Sequence, residues 1–241
     1  MHAAPTLSIA NVTLAEGNAG TTDFAFTVTK TGATEVNATV NFATAAGVMN
    51  SATAGALCGP GTDYQTLTGT LTFAPADTTQ PVTIKVCGDL LIEPSETFRV
   101  ILSNPASGSI ATGTGTGTIT NDDFYTFIGF FSPVENAPAL NGVNAGRAIP
   151  LKWELRDPSG TLVLDLATVT GITYVQIACG AEPVDPMEYV ADDSGTSELR
   201  LTATGYHFNW KTEKGFANRC YELRVSLNDS TTHEAKFKFK K

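Results

Sequence analysis

Apolar residues alternate with polar residues at every second position along much of this chain, and this alternation constrains the fold most strongly. The pattern appears in Phe24, Phe26 and Val28, and again in Phe98, Val100 and Leu102. A period of two places such residues on one face of a β-strand. Turn-rich stretches such as residues 16–20 and 58–63 separate the alternating segments. The sequence therefore predicts an all-β fold of short strands joined by turns.

The alternation also predicts two tandem domains. Seven strands fit in the first 123 residues, the last of them in the Gly-Thr run that ends at Thr120. Seven more are predicted at residues 149–155, 162–166, 173–179, 199–203, 206–210, 221–227 and 235–239. An aromatic stretch, residues 124–131, follows the Asn-Asp-Asp triplet at 121–123 and is expected to contribute to the second core or to packing between the domains. We place the domains at residues 1–123 and 124–241, each as a sandwich of antiparallel sheets.

The charge of the chain is uneven. The net charge is -9, and residues 1–123 hold ten Asp or Glu against three Lys or Arg. Such a surface repels nucleic acid and anionic membranes and attracts cations. No apolar run approaches the roughly 20 residues that a membrane-spanning helix requires. We therefore expect no nucleic-acid partner and no membrane insertion.

The four cysteines fall two in each half, without the Cys-x-x-Cys spacing of zinc or thioredoxin-like sites. They predict two intradomain disulfides, Cys58 with Cys87 and Cys179 with Cys220. Disulfides indicate an oxidising compartment, so we expect an extracellular, secreted or cell-surface protein. Because Met1 and His2 lead directly into the first domain without a signal peptide, we expect the sequence to be a processed part of a longer protein.

The acidic residues of the first half gather at turns and strand ends. Seven of the ten occupy such positions: Glu16, Asp63, Asp89, Glu93, Glu96, Asp122 and Asp123. Calcium takes six to eight oxygen ligands, and carboxylates on flexible loops supply them. Without a cation the crowded carboxylates would raise one another's pKa. The alternative is that these acidic side chains only solvate the loops.

The order of these motifs resembles the Calx-β domain. The matching features are a Glu-Gly turn at 16–17, Gly-Thr-Asp-Tyr at 61–64, Gly-Asp at 88–89, Glu-Pro-Ser-Glu-Thr-Phe at 93–98 and Asn-Asp-Asp at 121–123. The resemblance covers residues 5–123 and implies an immunoglobulin-like sandwich that binds Ca²⁺ through the seven acidic residues at one end. The sequence departs from the family at Gly88, where related domains often carry another acid, so we expect one or two structural ions.

The predicted disulfide of the first domain lies close in sequence to two of the candidate ligands. Cys58 precedes Asp63 by five residues, and Cys87 precedes Asp89 by two. A bond between them would join the segments that carry two ligands, and it would restrict the unfolded chain by roughly 3 kcal/mol in the entropy model. The bond could equally stabilise the sandwich alone.

The second half resembles the PxKF domain of bacterial secreted proteins. The resemblance rests on Asn-Ala-Gly-Arg at 144–147, Pro-Leu-Lys-Trp at 150–153, Trp-Lys-Thr at 210–212, Cys-Tyr at 220–221 and Lys-Phe-Lys-Phe at 236–239. Trp153 stands where that family has Phe. The resemblance implies an extracellular module without an assigned reaction. We expect Arg147 and Lys152 to reach solvent or carboxylates, and Tyr206, Phe208 and Trp210 to pack in the core.

No motif indicates catalysis. The sequence lacks Gly-x-Ser-x-Gly, His-Glu-x-x-His and a phosphate-binding glycine loop before a helix. None of His2, His207 and His233 has a neighbouring pattern of relay residues. Glu93 and Glu96 could pair as glycosidase carboxylates, but neighbouring turn residues seldom flank a cleft. We predict that the chain is not an enzyme.

These observations favour a calcium-stabilised structural or adhesive module of a larger bacterial surface or secreted protein. Its partners would be neighbouring domains of the parent protein or a cell-surface protein or glycan. A second hypothesis is a glycan- or protein-recognition accessory of a secreted enzyme, which exposed coplanar aromatics would favour. A third is a subunit of an extracellular filament that pairs edge strands between chains.

Overall fold

The computed structural model describes residues 4–179, 187–191 and 199–241, and His2 lies outside them. The chain divides into two compact units, Met1–Asp123 and Phe124–Lys241. In the described residues both units consist of β-strands, with two short 3-10 turns in the second. The predicted all-β class is confirmed.

Unit 1 is a sandwich of two sheets. Its described strands are β1 (Thr6–Ile9), β2 (Val12–Ala15), β3 (Gly20–Thr31), β4 (Ala38–Ala46), β5 (Ala54–Gly55), β6 (Tyr64–Gln65), β7 (Thr68–Phe73), β8 (Thr79–Gly88), β9 (Glu96–Ala106), β10 (Ser109–Thr112) and β11 (Thr114–Thr120). One sheet has the order β10-β1-β3-β8-β6-β5, and the other has the order β2-β11-β9-β4-β7.

The core of unit 1 follows the alternation in its sequence. Phe24 and Phe26 of β3 project inward and are fully buried. Phe98 of β9, in the other sheet, lies with its ring centroid 5.8 Å from Phe24 and 5.7 Å from Phe26. It also stacks on Tyr64 at 4.5 Å. The aromatic side chains therefore join the two sheets across the core.

Unit 2 is also a sandwich. Its described strands are β12 (Thr126–Ile128), β13 (Leu140–Asn144), β14 (Ala148–Arg156), β15 (Val169–Ile177), β16 (Tyr189–Val190), β17 (Arg200–Thr202), β18 (Gly205–Lys211), β19 (Cys220–Leu227) and β20 (Thr232–Lys240). The sheet orders are β12-β14-β18-β17 and β13-β20-β19-β15-β16. The 3-10 turns are Leu166–Thr168 and Lys214–Phe216.

Aromatic residues dominate the core of unit 2. Tyr206, Phe208 and Trp210 are buried, as the alternation predicted. Trp153 stacks on Tyr206 with centroids 5.4 Å apart. From the aromatic stretch at 124–131, Phe130 enters this core. That stretch therefore supplies part of the packing of the second unit.

Several details of the predicted fold were wrong. The described part of unit 2 has nine strands and not seven, because β12, β13 and β16 were not predicted. The described part of unit 1 has eleven strands and not seven, because short segments such as β5 and β6 pair at the sheet edges. Residues 162–166 form no strand but only an isolated bridge between Leu162 and Arg156, after which the Asp165 side chain accepts a hydrogen bond from the Ala167 N–H and caps a 3-10 turn. The sheets are not wholly antiparallel, since four strand pairs, β1 with β10, β2 with β11, β5 with β6 and β13 with β20, run parallel.

Candidate metal centre

One group of carboxylates forms where two parallel strands end together. Strand β2 pairs with β11 in register, with Ala15 opposite Thr120. The chain leaves both strands at the same edge, so Glu16 comes close to Asp122 and Asp123. One carboxylate oxygen from each of these three residues lies within 4.8 Å of the others. This spacing lets a single cation contact all three side chains.

A second group forms from Asp63, Glu93 and Glu96, again with one oxygen from each within 4.8 Å of the others. Asp63 directly precedes β6, and Glu96 is the first residue of β9. Both therefore lie at strand ends, as predicted. The backbone N–H of Thr53 donates to Asp63 Oδ2 at 2.5 Å and helps to hold this carboxylate.

Asp89 interacts electrostatically with residues of both groups. It belongs to neither set of close oxygens, but its charge raises the pKa of both Glu16 and Glu93. Its Oδ1 accepts a hydrogen bond from the Leu91 N–H at 2.7 Å. The structure thus brings six of the seven predicted residues into two triads and places the seventh within electrostatic reach of both.

Burial and mutual repulsion raise the pKa values of these carboxyl groups. Desolvation, followed by the charges of Asp89 and Glu93, raises the pKa of Glu16 to about 8. Desolvation, followed by a hydrogen bond with Asp63, raises the pKa of Glu96 to about 7. Desolvation also raises the pKa of Asp123, with a further contribution from Asp122. The charged form of the cluster is therefore unfavourable without a cation.

No basic residue compensates this charge in the described chain. Glu16, Asp63 and Asp123 are only 5%, 9% and 2% exposed. Among residues 4–179, 187–191 and 199–241, none of the seven carboxylates forms an ion pair with Lys or Arg. Buried carboxylates without a partner are costly, and metal coordination is one way in which proteins satisfy them.

Asp123 provides the most specific indication of a ligand. Its Oδ1 accepts from Asn18 Nδ2 at 2.9 Å, but its buried Oδ2 has no hydrogen-bond partner in the described structure. A buried carboxylate oxygen without a donor requires an explanation, and a bound cation provides one. The donor set at this end of the sandwich therefore fits a hard divalent ion such as Ca²⁺.

Two asparagines support the site and were not identified from the sequence. Asn18 orients Asp123, while Asn121 accepts from the Glu93 N–H at 3.3 Å and donates to the Asp123 carbonyl at 2.7 Å. Asn121 thereby links the loops that carry the two triads. Its position beside the Asp-Asp pair was a usable signal, whereas nothing in the local sequence indicated Asn18.

The structure explains why glycine occupies position 88. A Cβ atom there would lie 2.0 Å from the carbonyl oxygen of Gly17 and 3.0 Å from that of Glu16. Such contacts exclude any side chain unless the backbone moves. The additional acidic residue that the family resemblance implies at position 88 is sterically incompatible with this loop arrangement.

Both predicted disulfides are present. Cys58 is bonded to Cys87, and Cys179 is bonded to Cys220. The Cys87 N–H also donates to the Asp63 carbonyl at 2.8 Å. The first disulfide therefore fixes the strand that leads to Asp89 against the segment that carries Asp63.

Neither of the two carboxylate groups includes a described residue of the second unit. Arg147 and Lys152, which the sequence placed toward solvent, are exposed. His233 stacks on Phe127 with centroids 4.0 Å apart, and burial lowers its pKa. No described helix is long and apolar enough to cross a membrane.

An immunoglobulin-like sandwich with acidic loops gathered at one end defines a class of cation-binding module. The Calx-beta domain family matches residues 4–124, half of the chain. The chain therefore belongs to the Calx-beta domain family through its first unit. No curated protein matches the sequence.

Several solved structures are similar to the chain. The apo form of the Calx CBD1 domain is 26% identical, with 50% of this chain and 100% of that chain covered and a TM-score of 0.42. The CBD12 structure from CALX1.2 is 20% identical, with 94% and 83% covered and a TM-score of 0.42. The calcium binding domain CBD12 of CALX1.1 is 16% identical, with 91% and 78% covered and a TM-score of 0.41.

Proposed function

We propose that unit 1 binds Ca²⁺ through Glu16, Asp63, Asp89, Glu93, Glu96, Asp122 and Asp123, and that the chain is a calcium-stabilised structural or adhesive module. The observation that carries the proposal is the pair of carboxylate triads beside the unpartnered, buried Oδ2 of Asp123. Membership of the Calx-beta family supports the same ion. Ca²⁺ suits the site because it accepts irregular sets of carboxylate and carbonyl oxygens, whereas Mg²⁺ demands near-octahedral geometry.

The role proposed for the ion is to order the loops at this end of the sandwich. The ligands come from the segments after β2, β8 and β11 and from those before β6 and β9. An ion bound to all of them would replace repulsion with shared coordination, so the loops would lose freedom together. This fits a mechanical role, in which the stiffness of a module depends on calcium.

Two of the proposed ligands, Asp122 and Asp123, directly precede the start of the second unit. Phe124 alone separates Asp123 from Tyr125, and the Tyr125 N–H donates to Asp229 Oδ2 at 2.8 Å within unit 2. Coordination of Asp122 and Asp123 would therefore restrict a connection that is already very short. We propose that calcium orders the residues that connect β11 to the second unit.

The two disulfides support an extracytoplasmic location, because cytosolic proteins rarely retain such bonds. On this basis we assign the module to a secreted or cell-surface protein, with neighbouring domains or a surface protein or glycan as its partners. The resemblance of residues 124–241 to the PxKF domain supports a bacterial origin. No catalytic role is proposed for either unit.

The test is a thermal melt of the oxidised protein in excess Ca²⁺, in excess Mg²⁺ and in chelator. A ligand that binds only the folded state raises stability by mass action, about 2.7 kcal/mol at one hundred times its dissociation constant. We expect Ca²⁺ to raise the melting temperature of unit 1 by several degrees and Mg²⁺ to raise it less.

Two variants test whether the Ca²⁺-dependent rise in melting temperature arises at this site. Asp123→Asn should remove most of the Ca²⁺ shift, because it neutralises the most deeply buried carboxylate of the first triad. Glu35→Gln is the matched control, since it removes the same charge from an exposed residue beyond the far end of β3. Identical melts in Ca²⁺ and chelator would contradict the proposal, and so would an equal loss of the shift in both variants.

A further inference from the structure

An open cleft lies at the rim of unit 2, on the border of its hydrophobic core. Strands β15 and β16 form one wall, and the end of β18 with the turn Lys214–Phe216 forms the other. The main chamber has a volume of about 280 Å³, and a second chamber of about 140 Å³ shares Tyr174 and Glu213 with it. Small-ligand sites begin at about 300 Å³, so the combined cleft has room for a small ligand.

Aromatic rings line much of this cleft. Tyr174 and Tyr189 lie opposite each other on β15 and β16, with ring centroids 5.5 Å apart and planes inclined by 22°. Tyr189 remains 39% exposed. Phe216 and Tyr221, whose stacked rings are 4.1 Å apart, are buried and close the base. The cleft therefore presents flat apolar surface together with phenolic hydroxyl groups.

Planar polar groups border the same rings. Gln176 Oε1 accepts from Arg219 Nη1 at 3.4 Å and from the Tyr221 hydroxyl at 3.5 Å, which fixes the orientation of the amide. Within the described residues, the amide nitrogen of Gln176 has no acceptor, and the carboxylate of Glu213 has neither a donor nor an ion-pair partner. The cleft thus offers both free donors and a free acceptor beside its aromatic wall.

We infer that this cleft is a carbohydrate-binding site for one or two rings of an oligosaccharide. A pyranose ring has an apolar C–H face, which suits a tyrosine ring, and an edge of hydroxyl groups that both donate and accept hydrogen bonds. The exposed ring of Tyr189, which stacks on Tyr174, matches the face, while Gln176, Glu213 and Arg219 match the edge. A lipid would require a drier cavity, and the mixed charges give no preference for a purely acidic partner.

The experiment is a binding screen of the whole oxidised chain on a printed array of neutral, N-acetylated and uronic-acid oligosaccharides. Isothermal titration calorimetry with the strongest soluble binder from the array then measures the affinity. We expect Tyr189→Ala to weaken binding by at least about fivefold, because a stacked aromatic contact is lost. Glu213→Gln should weaken it similarly, and because this exposed residue has no packing role, its loss of binding cannot reflect misfolding.

The control variant is Phe131→Ala, which removes another exposed aromatic ring of unit 2 from outside the cleft. It should bind the oligosaccharide like the unmodified chain. The inference is overturned if no oligosaccharide binds or if the two cleft variants bind normally. The titrations are repeated in chelator, where we expect the same affinity, so a failure of the calcium proposal is distinguishable from a failure of this one.

Discussion

Replacing Glu16 by glutamine should change the stability of unit 1 in opposite directions with and without calcium. The Glu16 side chain has no hydrogen-bond partner in the described structure, and its pKa is raised to about 8 by burial and by four neighbouring carboxylates. Removing its charge therefore relieves repulsion without breaking a bond. In the presence of calcium, the same change would remove one of the ligands that we propose for the ion.

The stabilisation of the calcium-free protein by Glu16→Gln follows from the linkage between proton binding and folding. A carboxyl group whose pKa rises from 4.5 to about 8 on folding destabilises the folded state once the pH exceeds 4.5. At pH 7 the upper limit of this cost is about 3 kcal/mol, and movement of the loops relieves part of it. We expect Glu16→Gln to stabilise the calcium-free protein by about 1 to 3 kcal/mol, or about 4 to 12 °C in melting temperature.

The assay is differential scanning calorimetry of both proteins in chelator and in excess calcium, at pH 5 and pH 8. At pH 5 the advantage of the variant in chelator should shrink, because the pH is then close to the unfolded-state pKa of 4.5 and ionisation of Glu16 favours the unfolded state much less. In calcium each tenfold loss of affinity should offset about 1.4 kcal/mol of this gain, so the variant should melt below the unmodified protein once its affinity has fallen by more than about 5- to 150-fold. A variant that is less stable than the unmodified protein in chelator at pH 8 would refute the reasoning.

Two further predictions concern the framework of the site. The double substitution Cys58→Ala with Cys87→Ala should lower the free energy of unfolding by about 3 to 4 kcal/mol in urea titrations and weaken calcium binding, and unchanged affinity would show that the bond stabilises the sandwich alone. Gly88→Ala should cost about 1 to 3 kcal/mol because its Cβ meets the Gly17 carbonyl. Gly59→Ala, where no atom lies within 4 Å of the added carbon, should leave stability nearly unchanged.

Strands whose side chains alternate strictly could be predicted from the sequence. Phe24 and Phe26 show the reason, since a half-buried strand imposes period two on its residues and Phe98 meets them from the opposite sheet. Strand β13 was missed because its sequence, Leu-Asn-Gly-Val-Asn, has weak strand propensity. It forms through parallel pairing with β20, about one hundred residues away, and local patterns carry no information about such a partner.

The candidate site also combines features that the local sequence revealed with features that depend on residues distant in sequence. Its carboxylates were recognisable because they lie at turns or strand ends and some are only a few residues apart, as Glu93 and Glu96 are at the start of β9. Gly88 was recognised only as a departure from the family pattern, because the contact that excludes a side chain comes from Gly17, on a loop distant in sequence. The role of Asn18 likewise depends on the parallel alignment of β2 with β11, which brings it to Asp123.

The electrostatic cost of the calcium-free site and the proposed action of the ion have one origin. The carboxylates of unit 1 are held close together by strand pairing, by the Cys58–Cys87 bond and by Asn121, and these constraints act whether or not an ion is bound. Preorganisation of this kind raises the free energy of the empty site, and that free energy is released when a cation binds. A more flexible loop end would be more stable without calcium and would bind it less tightly. The stability of unit 1 should therefore depend steeply on calcium, which suits a module that works where the ion is abundant.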